Sequence, residues 1–126
     1  MNPASLSVPS EVEYLKVNYI RQSNRYKGVI VSFVDKVSGN VCLGWSLVHK
    51  DDMKQISGSS EDKARSIEIA VARGLKMNRS AELEEVKMPW TVFSNLEYIT
   101  SKARKYYKDK SFSPFFSKVI EVYNEQ

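Results

Sequence analysis

Residues 27–34, KGVIVSFV, run almost without a polar interruption, and a run of this length and β-branched content marks a strand covered on at least one face. The flanking stretches continue the pattern. Upstream, in EYLKVNYIR, Leu15, Val17 and Tyr19 alternate with Lys16 and Asn18, the period of two of a half-buried strand. Ser10 and Glu13 have the spacing of a capping box and offer a competing helical start, which the β-branched and aromatic content outweighs. Downstream, DKVSGN (35–40) is a turn whose Gly39-Asn40 pair can supply the positive φ of a tight reversal. VCLGWSLVH (41–49) then returns as a third strand. Together these runs predict an antiparallel meander.

Alternate side chains of a strand point to opposite faces. Val41, Leu43, Trp45, Leu47 and His49 therefore share one side of the third strand, and Cys42, Gly44, Ser46 and Val48 the other. Gly44 marks either a bulge or a close approach of another backbone or a flat ligand.

Three helices are expected in the second half. The first has Ser59 or Ser60 as cap, Glu61 and Asp62 at the positive end of its dipole and Gly74 placed to end it. Ala64, Ile67, Val71 and Leu75 form its sheet-facing stripe, with Arg65, Ile69, Arg73 and Lys76 on a neighbouring face. The second follows from FSNLEY: Ser94 as cap, Glu97 returning the capping bond, Phe93 and Tyr98 as a hydrophobic staple, and Leu96, Ile99 and Ala103 as the buried stripe. Its basic end, KARKYYKDK, suits a helix C-terminus. Tyr106 and Tyr107 there can stack on bases, or belong to a core or an interface. The third, SPFFSKVIEVY, starts with Ser113 as cap and Pro114 at the first position, and its stripe of Phe116, Val119, Ile120 and Tyr123 needs a docking surface, the sheet or a second copy of the chain.

At 126 residues and 42% apolar content, one domain (1–126) is expected, with a sheet over about 12–50 and a helical part over about 60–126. The fold class predicted is α+β, an antiparallel meander of three or more strands packed with two to three helices. One cysteine and one histidine exclude a disulfide within the chain and a Cys/His zinc knuckle. MNPASLSVPS has neither a basic start nor an apolar block, and no run approaches a membrane span; a soluble, cytoplasmic protein is expected. The net charge is +4. Six Lys/Arg face three acids in residues 1–50, seven face nine in 51–100, and six face three in 101–126, so the excess sits at the two ends. A local phosphate-binding patch fits this better than the coating of a long duplex.

Catalysis finds little support. His49 is the sole imidazole, no Gly-x-Ser-x-Gly elbow occurs, and SGSS (57–60) lacks the glycine spacing and lysine of a Walker loop. Asp51, Asp52, Glu61 and Asp62 are the carboxylates available for a magnesium-dependent or glycosidase reaction. Adjacent aspartates diverge, however, and acids in a first helical turn are explained by capping. No enzyme activity, metal or cofactor is expected.

Binding needs fewer coincidences. The small-residue loop before the first helix offers free N–H groups and a partial positive charge to an anion, with Ser59 and Ser60 at its end. His49 and Lys50 come from the third strand, and Arg65 lies just over one turn into the helix. Its guanidinium can take two phosphate oxygens, or pair with Glu61 one turn earlier. Trp45 or Phe93 can cover a base, and Asn95 offers a donor and an acceptor. Arg104, in the basic end of the second helix, completes the candidate ligand set.

The order strand, tight turn, strand reading G-x-S-x-x-H-K-D-D-M (Gly44 to Met53), then a helix with A-R-x-I-x-x-A-x-x-R (Ala64 to Arg73), resembles the phage anti-Thoeris sponge family over residues 27–76. The resemblance implies an oligomeric, non-catalytic protein that sequesters cyclic ADP-ribose isomers and related cyclic nucleotides made by bacterial immune enzymes. It implies Arg65 and Arg73 as phosphate readers, with Phe93 and Asn95 as base contacts. The leading expectation is thus a homo-oligomeric binder of a cyclic or other phosphate-bearing nucleotide. The alternatives are a basic protein binding RNA or DNA through the chain ends, especially Lys102 to Lys110, and a small inhibitor of a host protein.

Overall fold

A computed structural model of the chain describes residues 7–47, 60–80 and 88–124, the side chains of 60–62 and 123 excepted. The α+β architecture expected from the sequence is the one observed. Strands β1 (Val12–Gln22), β2 (Arg25–Asp35) and β3 (Val41–Leu47) pair antiparallel in the order β1-β2-β3. Helices α1 (Ser60–Arg79), α2 (Trp90–Phe93), α3 (Leu96–Tyr106) and α4 (Pro114–Asn124) follow. No described helix is long and apolar enough to cross a membrane.

β2 is the middle strand and is buried along nearly its whole length, which is why KGVIVSFV is apolar at successive positions rather than alternate ones. Val29, Val31 and Phe33 on one face, with Cys42 of β3, pack on Ile67, Ala70, Val71 and Leu75 of α1. Ile30 and Val34 on the other face, with Ile20, Val41, Leu43 and Trp45, pack on Val92, Leu96, Ile99, Ala103, Phe115, Phe116 and Val119. The sheet therefore separates two apolar layers. Phe33, Phe116, Ile30 and Leu43 are fully buried, each worth about 1.5–3 kcal/mol of transfer free energy. The predicted parity of β3 holds over the described strand, with Val48 and His49 outside the described residues.

Ser23 and Asn24 join β1 to β2 with φ of 53° and 64°, the paired positive angles of a type I′ hairpin. Between β2 and β3, Gly39 supplies the positive φ (76°), and its N–H donates to Asp35 O at 2.6 Å. Asp35 closes β2 instead of opening the turn. Arg79, at the end of α1, grips its carboxylate with Nε at 2.8 Å and Nη2 at 2.9 Å, and Nη2 reaches Glu11 at 3.5 Å. That bidentate guanidinium holds Asp35 below the usual carboxylate range, with the backbone N–H of Val37 acting in the same direction against the cost of burial.

Two helix boundaries differ from the expectation. Gly74 does not end α1, which runs on to Arg79. It is there because β3 comes so close: a Cβ at Gly74 would lie 3.1 Å from Gly44 Cα, and one at Gly44 only 2.2 Å from Ala70 O. The paired glycines let helix and strand backbones touch, which is the close-approach meaning of Gly44 and not the bulge. Ser94 does not cap the following helix either. It ends the extra one-turn α2, and its Oγ donates to Thr91 O at 3.2 Å. Asn95 stands at the α3 N-cap position without a side-chain capping bond and donates Nδ2 to Thr91 O at 2.7 Å.

α4 starts as predicted, with Ser113 Oγ accepting from Phe116 N at 3.1 Å and Pro114 in first position. Its stripe docks on this chain's own sheet, where Phe115 stacks on Trp45 with centroids 6.2 Å apart. Beside it the outer edge of β3 is covered by Val41 N donating to Ser111 O and Ser113 N to Val41 O. Asn78 of α1 continues this cover: its Nδ2 donates to Leu43 O (2.8 Å) and Gly74 O (2.6 Å), and its Oδ1 accepts from Ser113 Oγ.

Candidate functional site

Of the residues expected to bind a ligand, those that are described lie on both sides of the sheet. His49, Lys50 and Ser59, with the turn at 58–59, lie outside the described residues, and Ser60 is described only as the first residue of α1. Arg65 and Arg73 are exposed on α1, on one side of the sheet, whereas Phe93, Asn95 and Arg104 belong to the helices on the other. Trp45 is 8% exposed and packs in the α3–α4 layer. Phe93 is half-buried and stacks on the exposed Trp90. Arg104 lines a hollow of about 310 Å³ with Thr100, Ser101 and Ile120.

Among the described residues a concavity lies between β1 and α3. Its volume is about 400 Å³, and Lys16, Asn18 and Ser32 of the sheet face Ile99, Lys102, Lys105, Tyr106 and Tyr107 across it. The alternation of β1 explains the strand wall. Leu15 and Val17 turn towards α1, so Lys16 and Asn18 turn towards α3. On α3 the stripe of Leu96, Ile99 and Ala103 is buried on the sheet, and Lys102, Lys105 and Tyr106 flank it at the rim.

A bulge shapes one end. Glu13 pairs with Val34 and Lys16 with Ser32, so Tyr14 and Leu15 both oppose Phe33, and Tyr14 takes φ of 53°. Tyr107 holds this distortion from the floor of the crevice: its hydroxyl donates to Tyr14 O at 2.6 Å, and Ser32 Oγ lies 3.2 Å away. Burial pushes the Tyr107 phenol up to about 12, with the Ser32 bond opposing the shift, so the hydroxyl stays a donor at neutral pH. Tyr107 also meets Tyr106 at right angles, with centroids 4.8 Å apart and planes at 88°.

The electrostatics have one sign. Among the described residues no Asp or Glu lines the crevice, and no ion pair engages Lys16, Lys102 or Lys105. Lys16 Nζ rests 3.9 Å from the Tyr106 ring centroid and Lys102 Nζ 4.6 Å from that of Tyr98. The α3 dipole accounts for Lys105 in the last turn, but not for Lys102 earlier in the helix or Lys16 on a strand. Cations without acids, next to exposed rings and amide or hydroxyl groups, are suited to an anion that carries a flat ring. Cys42 lies outside this crevice, buried on the α1 face of the sheet, where burial together with the nearby Asp35 carboxylate pushes its thiol up to about 12.

Of the ten residues anticipated, Asn95 borders the continuation of this crevice, and Arg104 sits across α3 from it. The sequence had singled out Lys102 to Lys110 and both tyrosines for a different ligand class. Lys16 and Asn18 were missed, although the period of two in EYLKVNYIR already sets them apart from Leu15 and Val17. Compared with known proteins, the α+β chain matches no family model, no curated protein and no solved structure.

Proposed function

We propose that the chain is a non-catalytic binding protein that holds a phosphate-bearing nucleotide, cyclic or linear, between β1 and α3 and acts by sequestering it. The observation that carries this is the convergence of Lys16, Lys102 and Lys105 on a cleft of about 400 Å³ that is walled by Tyr106 and lined by no acid among the described residues. That volume falls in the range of small-molecule sites, roughly 300–1,000 Å³. Lysine ammonium groups would meet the phosphate, the Tyr106 face would meet the base, and Asn18 and Ser32 would supply a donor and acceptors to its edge or to the sugar. The resemblance to the anti-Thoeris sponges points to the same ligand class, with the contacts moved from α1 to the opposite face of the sheet.

The test is retention. The protein is incubated with a nucleotide-rich cell extract, freed of unbound material and heated, and the released molecules are identified by mass spectrometry. An unaltered nucleotide is expected. Reversing Lys102 and Lys105 together to Glu should abolish retention, since each lost charge-assisted contact at such an exposed site costs about tenfold in affinity. Retention that survives the reversal but is lost with Arg65→Ala would place the site on α1 and refute the assignment. A consumed ligand would make the protein an enzyme.

A further inference from the structure

The crevice continues beyond the cleft. β1 and α3 run in opposite directions along it. Ile20 and Tyr19 lie by Asn95 and Tyr98 in an adjoining hollow of about 300 Å³ that shares Val17, Asn18 and Ile99 with the main one. Further along, Lys16 meets Tyr106 and Tyr14 meets Tyr107. Three pairs of one lysine and one exposed tyrosine are strung along this line. Lys102 stands over Tyr98 at 4.6 Å, Lys16 over Tyr106 at 3.9 Å, and Lys110 lies 6.0 Å from the Tyr14 centroid. The three rings are 57%, 49% and 55% exposed.

We infer that this row is a track for single-stranded nucleic acid, with bases laid on the tyrosine rings and phosphates on the lysines. The inference rests on the nucleotide-binding role proposed above and names its ligand class as a short oligonucleotide. Three features support it. Rings and cations alternate, as stacking platforms in basic grooves do when they bind strands without reading sequence. Tyr98, Lys102 and Tyr106 follow each other at four-residue steps of one helix, so the two rings stand about 12 Å apart along its axis. Stacked nucleotides advance about 3.4 Å each, so that distance spans about three to four of them, more than one mononucleotide can bridge. The third ring, Tyr14, faces solvent at the bulge that Tyr107 holds in place, and it carries the row past the end of α3. A lysine resting on an exposed ring is held weakly, so it can swing to a phosphate and free the ring face for a base.

The experiment is fluorescence anisotropy on the whole chain with labelled oligouridine and oligothymidine of one, three and six nucleotides and with a duplex of equal length, over a series of salt concentrations. Affinity should rise at least about tenfold from the mononucleotide to the hexanucleotide. The logarithm of the hexanucleotide's binding constant should fall with that of salt at a slope of about −2, three phosphates at roughly 0.7 each. Tyr14→Ala and Tyr98→Ala should each weaken hexanucleotide binding by about fivefold or more, and the corresponding Phe variants should restore it, because the ring face does the stacking. Both side chains are exposed, and circular dichroism of each variant verifies that it is folded. Equal affinity for one nucleotide and six, or full hexanucleotide binding after both Ala changes, would overturn the track while leaving the nucleotide site in place. Absence of binding at every length would overturn both. Tighter binding of the duplex would overturn the single-strand assignment alone.

Discussion

Replacing Gly74 with alanine sets two known effects against each other. In an exposed helix interior the change stabilises by about 1 kcal/mol, because glycine loses more backbone entropy than alanine on becoming helical. At this position the new methyl would lie 3.1 Å from Gly44 Cα, 3.1 Å from Phe33 Cε1 and 3.2 Å from Leu43 O. Carbon pairs are most favourable at about 3.5–4.0 Å, so each neighbour would have to retreat by several tenths of an ångström. None retreats freely: Phe33 is fully buried, and the Leu43 carbonyl is held by the Asn78 amide at 2.8 Å. Overpacking of this kind costs about 1–3 kcal/mol, so the net effect should be destabilisation of up to about 2 kcal/mol. Gly44→Ala is the harsher partner. Its methyl would stand 2.2 Å from Ala70 O, which requires α1 to lift off the strand and should cost about 3 kcal/mol or more. Ala72→Gly, on the exposed face of the same helix, isolates the backbone effect and should cost about 1 kcal/mol. Urea unfolding at constant m resolves these differences, since m for a chain of this size is about 1–3 kcal/mol per M. A Gly74→Ala variant stabilised by the full 1 kcal/mol or so would show that α1 is not seated on β3 at this distance.

Two other perturbations test how the helices are fastened to the sheet. Asn78→Asp replaces the donor shared by Leu43 O and Gly74 O with a carboxylate; at neutral pH it should cost about 2 kcal/mol or more, exceed Asn78→Ala, and partly recover as the pH falls and the new carboxyl is protonated, as seen in urea midpoints. Asp35 has a folded-state pKa below its ordinary 3.8, so its contribution is complete above that value and is lost as the pH falls through the lower folded one. Asp35→Asn should therefore be less stable than the parent at pH 7 and show a flatter loss of stability below about pH 4 in thermal melts at stepped pH.

What could be read in the sequence is what short-range pattern controls. The β runs, the parity of β3, the α1 stripe and the Ser113–Pro114 start of α4 each depend on residues within a turn or two, and each is found where expected. Gly74 looks like a helix end only while β3 is out of sight, because the reason for a glycine there is the backbone of Gly44, thirty residues earlier in the chain. Ser94 satisfies the capping-box spacing, but one residue of difference in where the helix starts hands its hydroxyl to α2. The crevice could not be read at all as a unit. Lys16 and Tyr106 touch across most of the chain's length, and only the pairing of β1 with β2 and the seating of α3 on the sheet bring them together.

Fold and crevice meet at Tyr107. A tyrosine at Tyr14 with φ of 53° is a costly arrangement, on the order of 1 kcal/mol or more, and it persists only if its surroundings hold it. The hydroxyl of Tyr107 does so from the adjacent helix end, and the same ring packs at right angles to Tyr106. One buried side chain thus contacts two of the three residues whose rings are exposed, Tyr14 through its backbone and Tyr106 through its ring. This is why the second tyrosine of KARKYYKDK is buried while the first faces solvent, a distinction that helical spacing alone does not make. It also separates support from contact: losing the Tyr107 hydroxyl would release the β1 bulge and Tyr14 with it, whereas losing Lys102 would remove charge from the crevice and leave the strand path as it is.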